Sequence, residues 1–224
     1  MKKGLIITVD GPAGAGKSTV SKKLAQQLSY IYLDTGALYR AVAYQMLVEG
    51  VSPDNAEALS ELCGRINIFL KNMNGKLNVF INDENVTEKI RNEEIGLLAS
   101  KVSAIPIVRQ SLLSIQRDAG AKGGIVAEGR DMGTVVFPDA DYKFYLEATV
   151  EMRVKRRYEE LRARGRNVDF QEVERDLMLR DRQDREREIA PLKVSDSAVI
   201  IDSTIMTISQ VVEKMISIIE GRRQ

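Results

Sequence analysis

The chain has 224 residues, of which 44% are hydrophobic and 29% are charged, and its formal net charge is +1. This length and balance are typical of one folded globular domain and exclude a disordered chain or one that binds nucleic acid through bulk charge. The region 151–188, although rich in arginine, holds 12 basic residues against 11 acidic ones. We interpret it as a charge-balanced pair of helices.

No stretch reaches the ~18 uninterrupted apolar residues that a membrane span requires, so we expect no membrane association. The single cysteine, Cys63, excludes an internal disulfide and indicates a reducing compartment, the cytoplasm. The absence of histidine excludes imidazole-based triads, His metal sites and His acid–base catalysis. Phosphoryl transfer suits the remaining residues because it depends mainly on positioning and charge neutralisation.

A glycine-rich loop follows the first predicted strand, residues 5–9. Residues 11–18, GPAGAGKS, match G-x-x-x-x-G-K-[ST], and residues 19–28 then show helical spacing. Strand, loop and helix together predict a phosphate cradle, in which Lys17 reaches the β- and γ-phosphates and Ser18 ligates Mg²⁺. The alternative is a glycine-rich turn in an ordinary βα unit. The predicted cradle comprises Gly11, Pro12, Ala13, Gly14, Ala15, Gly16, Lys17, Ser18 and Thr19.

Four more strand-like runs recur between helical patterns, at residues 30–33, 124–127, 142–146 and 198–201. Five strands separated mainly by helices predict an α/β fold with a parallel sheet covered on both faces. We expect residues 202–204 to cap a final helix.

One segment departs from this pattern. Residues 66–86 alternate like strands around an Asn74-Gly75 turn, and residues 83–85 predict a second turn. We interpret residues 63–94 as a small antiparallel sheet inserted into the α/β core, over a substrate site. The alternative is an excursion without function.

Polar residues follow two predicted strands at their carboxyl ends, where ligands bind in open α/β sheets. After the second strand, Thr35 is placed to cap a helix and Arg40 lies in its first turns. Thr35 and Arg40 could both meet an anion beside the glycine-rich loop. After the third predicted strand, residues 124–127, a glycine is surrounded by Glu128, Arg130 and Asp131. Two carboxylates and an arginine make a poor core, so we expect the segment 128–131 to form part of a functional site.

Further candidates lie on predicted helices. Ser100 and Arg109 lie on consecutive helices, and Arg180, Asp184 and Arg187 share one helix face through their spacing. From spacing alone, Arg180 and Asp184 are equally explained as a surface ion pair.

Five segments together resemble the bacterial cytidylate kinase family of P-loop nucleoside monophosphate kinases. They are residues 7–18, 33–40, 128–138, 180–185 and 190–192. The loop motif is shared by many nucleotide-binding proteins, whereas the segment 128–138 together with the inserted sheet is more specific. The resemblance runs in order over essentially the whole chain.

The resemblance implies one P-loop kinase domain: a three-layer fold with a five-stranded parallel sheet, a small antiparallel β insertion in the region that binds the nucleoside monophosphate, and a helical lid. On this basis the core covers about residues 1–62, 95–150 and 190–224. The insertion covers about 63–94 and the lid about 151–188.

The family's residue roles transfer to matching positions. The resemblance implies that the acceptor phosphate or transferring group is contacted by Arg40, Arg130 and Arg180. The cytosine-reading set that it implies is Ser100, Arg109 and Asp131. Asp184 corresponds to a ribose contact, and the same site is lined by Thr35 and Arg187.

The implied reaction is transfer of the ATP γ-phosphoryl group to CMP or dCMP. Mg²⁺ is the implied cofactor, with Ser18 and Glu128 as the metal-side residues. Lys17 and two lid arginines, Arg153 and Arg157, would neutralise the developing charge. Closure of residues 161–170 would exclude water.

Two alternatives to this function stay open. The nearest is a kinase that acts on UMP, AMP or dTMP. From another class comes a non-catalytic nucleotide-binding module whose charged helices bind a partner protein or RNA. We expect nucleotides as the only partners and a monomer by default, because no exposed apolar stripe stands out.

Overall fold

The computed structural model describes residues 4–73 and 76–221. The helices and strands follow one another in this order: β1 (Ile6–Asp10), α1 (Lys17–Leu28), β2 (Ile31–Asp34), α2 (Thr35–Glu49), α3 (Ala56–Arg65), β3 (Ile68–Met73), β4 (Lys76–Ile81), β5 (Glu84–Asn85), α4 (Glu93–Val102), α5 (Pro106–Gly120), β6 (Ile125–Gly129), one turn of π-helix (Met132–Val136), β7 (Tyr142–Glu147), α6 (Val150–Ala163), α7 (Phe170–Glu186), β8 (Val199–Asp202) and α8 (Ile208–Gly221).

The central sheet confirms the predicted five parallel strands, in the order β2-β6-β1-β7-β8. Ile125 of β6 lies between its partners Ile6 of β1 and Ile31 of β2. Each strand is present where an apolar run predicted it, with its ends within two residues of the predicted ones. Because all five strands run the same way, their carboxyl ends meet at one edge, where the phosphate-binding loop leaves β1.

Helices cover both faces of this sheet, as predicted. On one face Leu24 of α1 and Val212 of α8 pack with Phe144 in a fully buried cluster. On the other face Leu113 of α5 packs with Ile125 and its neighbours. Burial of apolar side chains on both faces explains why these strands are continuous apolar runs.

The predicted small antiparallel sheet is present, in the order β3-β4-β5. Its hairpin pairs Ile68 with Ile81, while the predicted Asn74-Gly75 turn lies outside the described residues. The second turn is displaced from the predicted residues 83–85: the chain turns at Asn82, which has a φ of 52°, and residues 84–85 form the third strand. A short Asn tolerates this left-handed conformation, which explains the shift.

The prediction that residues 202–204 cap the last helix is wrong. The Asp202 carboxylate instead accepts the Thr204 N–H, 2.8 Å away. Helix α8 is capped one turn later by Thr207 and Gln210: the Thr207 hydroxyl accepts the Gln210 N–H and the Gln210 side chain accepts the Thr207 N–H. This reciprocal pair is a capping box.

Helices α6 and α7 form a pair with a small core of their own, which contains Val154, Leu161, Val173 and Leu177. Residues 164–169 join them, and Gly165 there takes a φ of 75°. Among the described helices, none combines the length and apolar character needed to cross a membrane.

Candidate active site

The phosphate-binding loop leaves β1 and enters α1 through three glycines with positive φ. Gly11, Gly14 and Gly16 have φ values of 146°, 73° and 91°. A Cβ at Gly11 would lie 2.0 Å from the Leu146 carbonyl oxygen, so no larger residue fits there. Gly16 directly precedes α1, whose first N–H groups have no partner within the helix and carry its positive dipole end. This geometry suits a bound polyphosphate.

Lys17 lies buried at the base of this loop. Its ammonium donates a hydrogen bond to the Pro12 carbonyl oxygen at 2.7 Å. Burial, together with the nearby Arg130 guanidinium, lowers the pKa of Lys17 to about 7, although Glu128 and Asp184 oppose this shift. A phosphate placed beside Lys17 would restore its charge.

Glu128 ends β6 as a buried carboxylate beside the loop. Burial and the neighbouring Asp34 raise its pKa, while Lys17 and the hydroxyls of Tyr32 and Ser18 oppose the rise. Tyr32 donates a hydrogen bond to Glu128. Sequence reasoning missed Tyr32, because its partner lies on a strand far away in the chain.

The predicted metal-side residues offer hard oxygen ligands, the Ser18 hydroxyl and the Glu128 carboxylate, which Mg²⁺ prefers. Across residues 4–73 and 76–221, no group of three or more His, Cys, Asp or Glu side chains is arranged to hold a metal. The donor set therefore fits a Mg²⁺ ion that takes most of its ligands from phosphates and water.

The prediction that Thr35 caps α2 is wrong. Asp34 is the cap, and its carboxylate accepts the Ala37 N–H at 3.1 Å. The Thr35 hydroxyl instead donates to the Glu128 main-chain carbonyl at 2.7 Å. Arg40 pairs with Asp34 at 2.6 Å, and its buried Nε lacks a hydrogen-bond partner in the described chain. That orphaned donor is available to an anion.

Asp131 lies buried between two arginines. Arg109 donates to one carboxylate oxygen and Arg187 lies 3.4 Å from the other. Arg109 also donates to the Ser103 carbonyl at 2.9 Å, and its guanidinium lies 5.6 Å from the Tyr39 ring centre. Asp131 therefore has a cationic partner at each of its carboxylate oxygens.

Arg130 binds Asp184, with 2.6 Å between Nε and Oδ2. The alternative of a surface pair between Arg180 and Asp184 is therefore wrong. Arg180 instead faces Glu93 of α4, with 3.7 Å between Nη2 and Oε2. Ser100 on the same helix donates to Gln183 of α7 at 3.1 Å.

Arg153 and Arg157, the two arginines of α6 for which the resemblance implies the same role, lie in different surroundings. Arg157 lies at the cleft, where it contacts Glu93 and Glu160. Arg153 is fully enclosed: it donates to the Ala13 carbonyl at 3.0 Å and pairs with Asp181. The Arg153 guanidinium is thus engaged by the Ala13 carbonyl and Asp181, and its charge-neutralising role stays a prediction.

A single cleft of about 1220 Å³ contains most of these side chains. It exceeds the about 300–1,000 Å³ of a pocket for one drug-sized ligand, so it has room for two nucleotides. The predicted residues that line it are Ala13, Gly14, Ala15, Gly16, Lys17, Ser18, Thr19, Thr35, Arg40, Ser100, Glu128, Arg130, Asp131, Arg157, Arg180, Asp184 and Arg187. Those that do not line it are Gly11, Pro12, Arg109 and Arg153.

Comparison with known proteins shows the family of this chain. The sequence model of the family described as cytidylate kinase matches residues 7–221. The chain belongs to the cytidylate kinase family. The predicted resemblance is therefore confirmed.

Relatives within the family match along nearly their whole length. Cytidylate kinase of Citrifermentans bemidjiense is 50% identical over 221 residues, covering 99% of this chain and 95% of the relative. That of Syntrophotalea carbinolica is 48% identical over 224 residues, covering 100% and 95%. The crystal structure of an uncharacterized protein from Eubacterium ventriosum has a TM-score of 0.52 at 12% identity, covering 98% of this chain and 99% of that one, and supports the fold alone.

Proposed function

We propose that this member of the cytidylate kinase family transfers the γ-phosphoryl group of ATP to CMP and dCMP, forming ADP and CDP or dCDP. The observation that carries the proposal is one cleft with a phosphate-binding loop and, on the same cleft, a buried carboxylate held by two arginines. The first suits ATP and the second suits a base that donates hydrogen bonds. Pyrimidine nucleotide metabolism, a cytoplasmic location and a monomeric state stay predictions.

Asp131 is the proposed reader of cytosine. The exocyclic amino group of cytosine donates a hydrogen bond, whereas uracil has a carbonyl acceptor at that position. A carboxylate oxygen accepts a hydrogen bond from the amino group but faces another acceptor in the uracil carbonyl. The uracil carbonyl, buried against this carboxylate without a hydrogen-bond donor, would cost about 1–3 kcal/mol, which corresponds to roughly tenfold to hundredfold discrimination.

The acceptor phosphate is proposed to bind the arginines at the centre of the cleft. Arg40 has an unpartnered buried Nε, and Arg180 has the same within the described residues. Arg130 lies close enough to Lys17 to lower its pKa, which supports a position for this guanidinium near the point of transfer. Asp184, fixed by Arg130, is the proposed partner of the ribose hydroxyls.

ATP is the proposed donor, with its phosphates held by the N–H groups of the loop and by Lys17. Ser18 and Glu128 would hold Mg²⁺, which neutralises phosphate charge when bound. Lys17 and Arg157 stabilise the charge that develops on the transferring group. The 5′-phosphate of CMP is already an anionic nucleophile, so a chain without histidine needs no dedicated base.

Exclusion of water is proposed for the segment that joins α6 and α7. Arg166, Asn167 and Val168 of this segment line the cleft. Its closure over bound nucleotides would keep the γ-phosphoryl group from water. A variant with this loop shortened is expected to hydrolyse ATP faster without acceptor than the intact chain, and equal rates would contradict closure.

The decisive experiment measures ADP release from Mg·ATP with CMP, dCMP, UMP, AMP, dTMP or no acceptor. Fast turnover confined to CMP and dCMP supports the whole proposal. Turnover with another acceptor would keep the kinase chemistry and overturn the roles of Ser100, Arg109 and Asp131. ATP binding without acceptor-dependent ADP release would favour the non-catalytic module.

A further inference from the structure

Glu93, the first residue of α4, bridges the two helices of the α6–α7 pair. One carboxylate oxygen contacts Arg157 of α6. The other lies 3.7 Å from Nη2 of Arg180 on α7. Two guanidinium groups on two different elements therefore converge on one anionic group.

The Arg180 guanidinium packs closely against α4 beside this contact. Gly96 lies one helical turn after Glu93, and a Cβ there would be 3.1 Å from Nη2 of Arg180. A glycine at this position lets the guanidinium lie against the helix, beneath the carboxylate. The Arg180 Nε is buried and has no hydrogen-bond partner within the described residues. One donor of this guanidinium therefore remains to be satisfied even with Glu93 in place.

The Glu93 carboxylate contacts the two arginines much as a bound phosphate would, in both its geometry and its negative charge. Oxyanions that bind arginines present two or more oxygens to donors in fixed directions, as the Glu93 carboxylate does here. Glu93, Arg157 and Arg180 all line the cleft that contains the phosphate-binding loop. The side chains of Arg157 and Arg180 are 22% and 19% exposed, so a phosphate can reach both.

We infer that Glu93 is a positioning residue whose carboxylate takes the place of a substrate phosphate between Arg157 and Arg180 and must yield it when substrate binds. This inference rests on the proposed function, in which these two arginines contact the phosphates. Glu93 keeps the guanidinium groups paired in the free protein and competes with the phosphate for them. The same contact couples α4, at the end of the small-sheet segment, to the α6–α7 pair.

The matched variants are Glu93→Gln and Glu94→Gln. Both remove one negative charge from the first turn of α4 and so change its interaction with the helix dipole equally. Glu94 is exposed and forms no ion pair with either arginine. Glu93→Asp keeps the charge and serves as the conservative variant.

The experiment measures the dissociation constant for CMP by titration calorimetry, the CMP-dependent rate and the thermal midpoint for all four proteins. For Glu93→Gln we expect CMP to bind about two- to fivefold more tightly. This change in affinity corresponds to the stabilisation that a partly exposed ion pair provides. Glu94→Gln and Glu93→Asp are expected to stay near the wild type. A merely structural role would lower the thermal midpoint without strengthening CMP binding.

CMP affinity that is unchanged or weaker in Glu93→Gln, in a wild type that phosphorylates CMP, would overturn this inference alone. A wild type that does not phosphorylate CMP would overturn the proposed function and this inference with it.

Discussion

The Lys17 ammonium and the Pro12 carbonyl oxygen are joined across the phosphate-binding loop by a hydrogen bond of 2.7 Å. The lysine is thus folded back onto its own loop, buried and close to Arg130, and its pKa falls to about 7. Phosphate charge placed beside it favours the ammonium form and raises that pKa. At any pH at which Lys17 is neutral in the free protein, ATP binding must therefore be accompanied by uptake of a proton at Lys17.

The first prediction concerns the pH dependence of ATP binding. Above pH 7 the free protein loses the Lys17 proton, so the affinity for ATP is expected to fall as pH rises, by at most about tenfold per pH unit. Calorimetry at pH 8 in buffers of different ionisation enthalpy should show uptake of about one proton per ATP. Lys17→Arg, which stays charged, should show no such uptake. Equal proton uptake by both proteins would contradict the prediction.

The second prediction concerns base selection. Asp131→Asn replaces an acceptor with a group that also donates, so it should tolerate the carbonyl of uracil. We expect the ratio of kcat/KM for CMP to that for UMP to fall by about tenfold to hundredfold. Steady-state rates with both acceptors measure this ratio.

Asp181→Asn is the matched control. Asp181 is likewise a buried carboxylate paired with an arginine, Arg153, but it does not line the cleft. Both variants weaken a buried ion pair and lower stability. Only Asp131→Asn should change base preference, and an equal change in the control would remove the base-reading role from Asp131.

The strands and the small sheet could be predicted because their signals are local. An apolar run such as residues 142–146 predicts a strand wherever both sheet faces are covered. Caps were harder to assign, because adjacent residues compete for them. Asp34 and Thr35 are both suitable N-caps for α2. Asp34 is the cap because the Thr35 hydroxyl donates its hydrogen bond to the Glu128 carbonyl instead.

The partners of the charged side chains could not be predicted from spacing. Arg130 and Asp184 are 54 positions apart and meet only because β6 and α7 converge. Helical spacing placed Arg153 and Arg157 on one face but could not show that Arg153 is enclosed by the loop and by Asp181. Glu93 and Tyr32 were missed for the same reason, since each acts through distant partners.

The third prediction separates these two arginines of α6. Arg157→Ala removes a guanidinium from the cleft, so kcat should fall about a hundredfold with little change in stability. Arg153→Ala leaves the buried Asp181 without its cationic partner and should cost about 3–5 kcal/mol of unfolding free energy. Steady-state kinetics and urea unfolding test both variants. A folded Arg153→Ala protein of normal stability and lost kcat would show instead that Arg153 acts in catalysis, as its predicted role requires.

The last prediction concerns Asp10, which sequence reasoning did not select. Its carboxylate accepts the N–H groups of Met132 and Gly133 at 2.9 and 2.8 Å, and so fixes the chain directly after Asp131. Burial outweighs these hydrogen bonds and raises the pKa of Asp10 from 3.8 to about 6. The folded protein therefore holds this proton more tightly than the unfolded chain does.

The sign of the stability change follows. The contribution of Asp10 is fully present below about pH 4 and is lost as pH rises through 6, a change of about 3 kcal/mol in unfolding free energy. Asp10→Asn cannot titrate, so its unfolding free energy from urea denaturation should vary less between pH 4 and 7. The exposed Asp202, changed to Asn, is a control that should keep the wild-type dependence in this range, because its pKa is lowered rather than raised. Identical pH dependence in the wild type and Asp10→Asn would show that Asp10 ionises as freely in the folded protein as in the unfolded one, against the burial that the structure gives it.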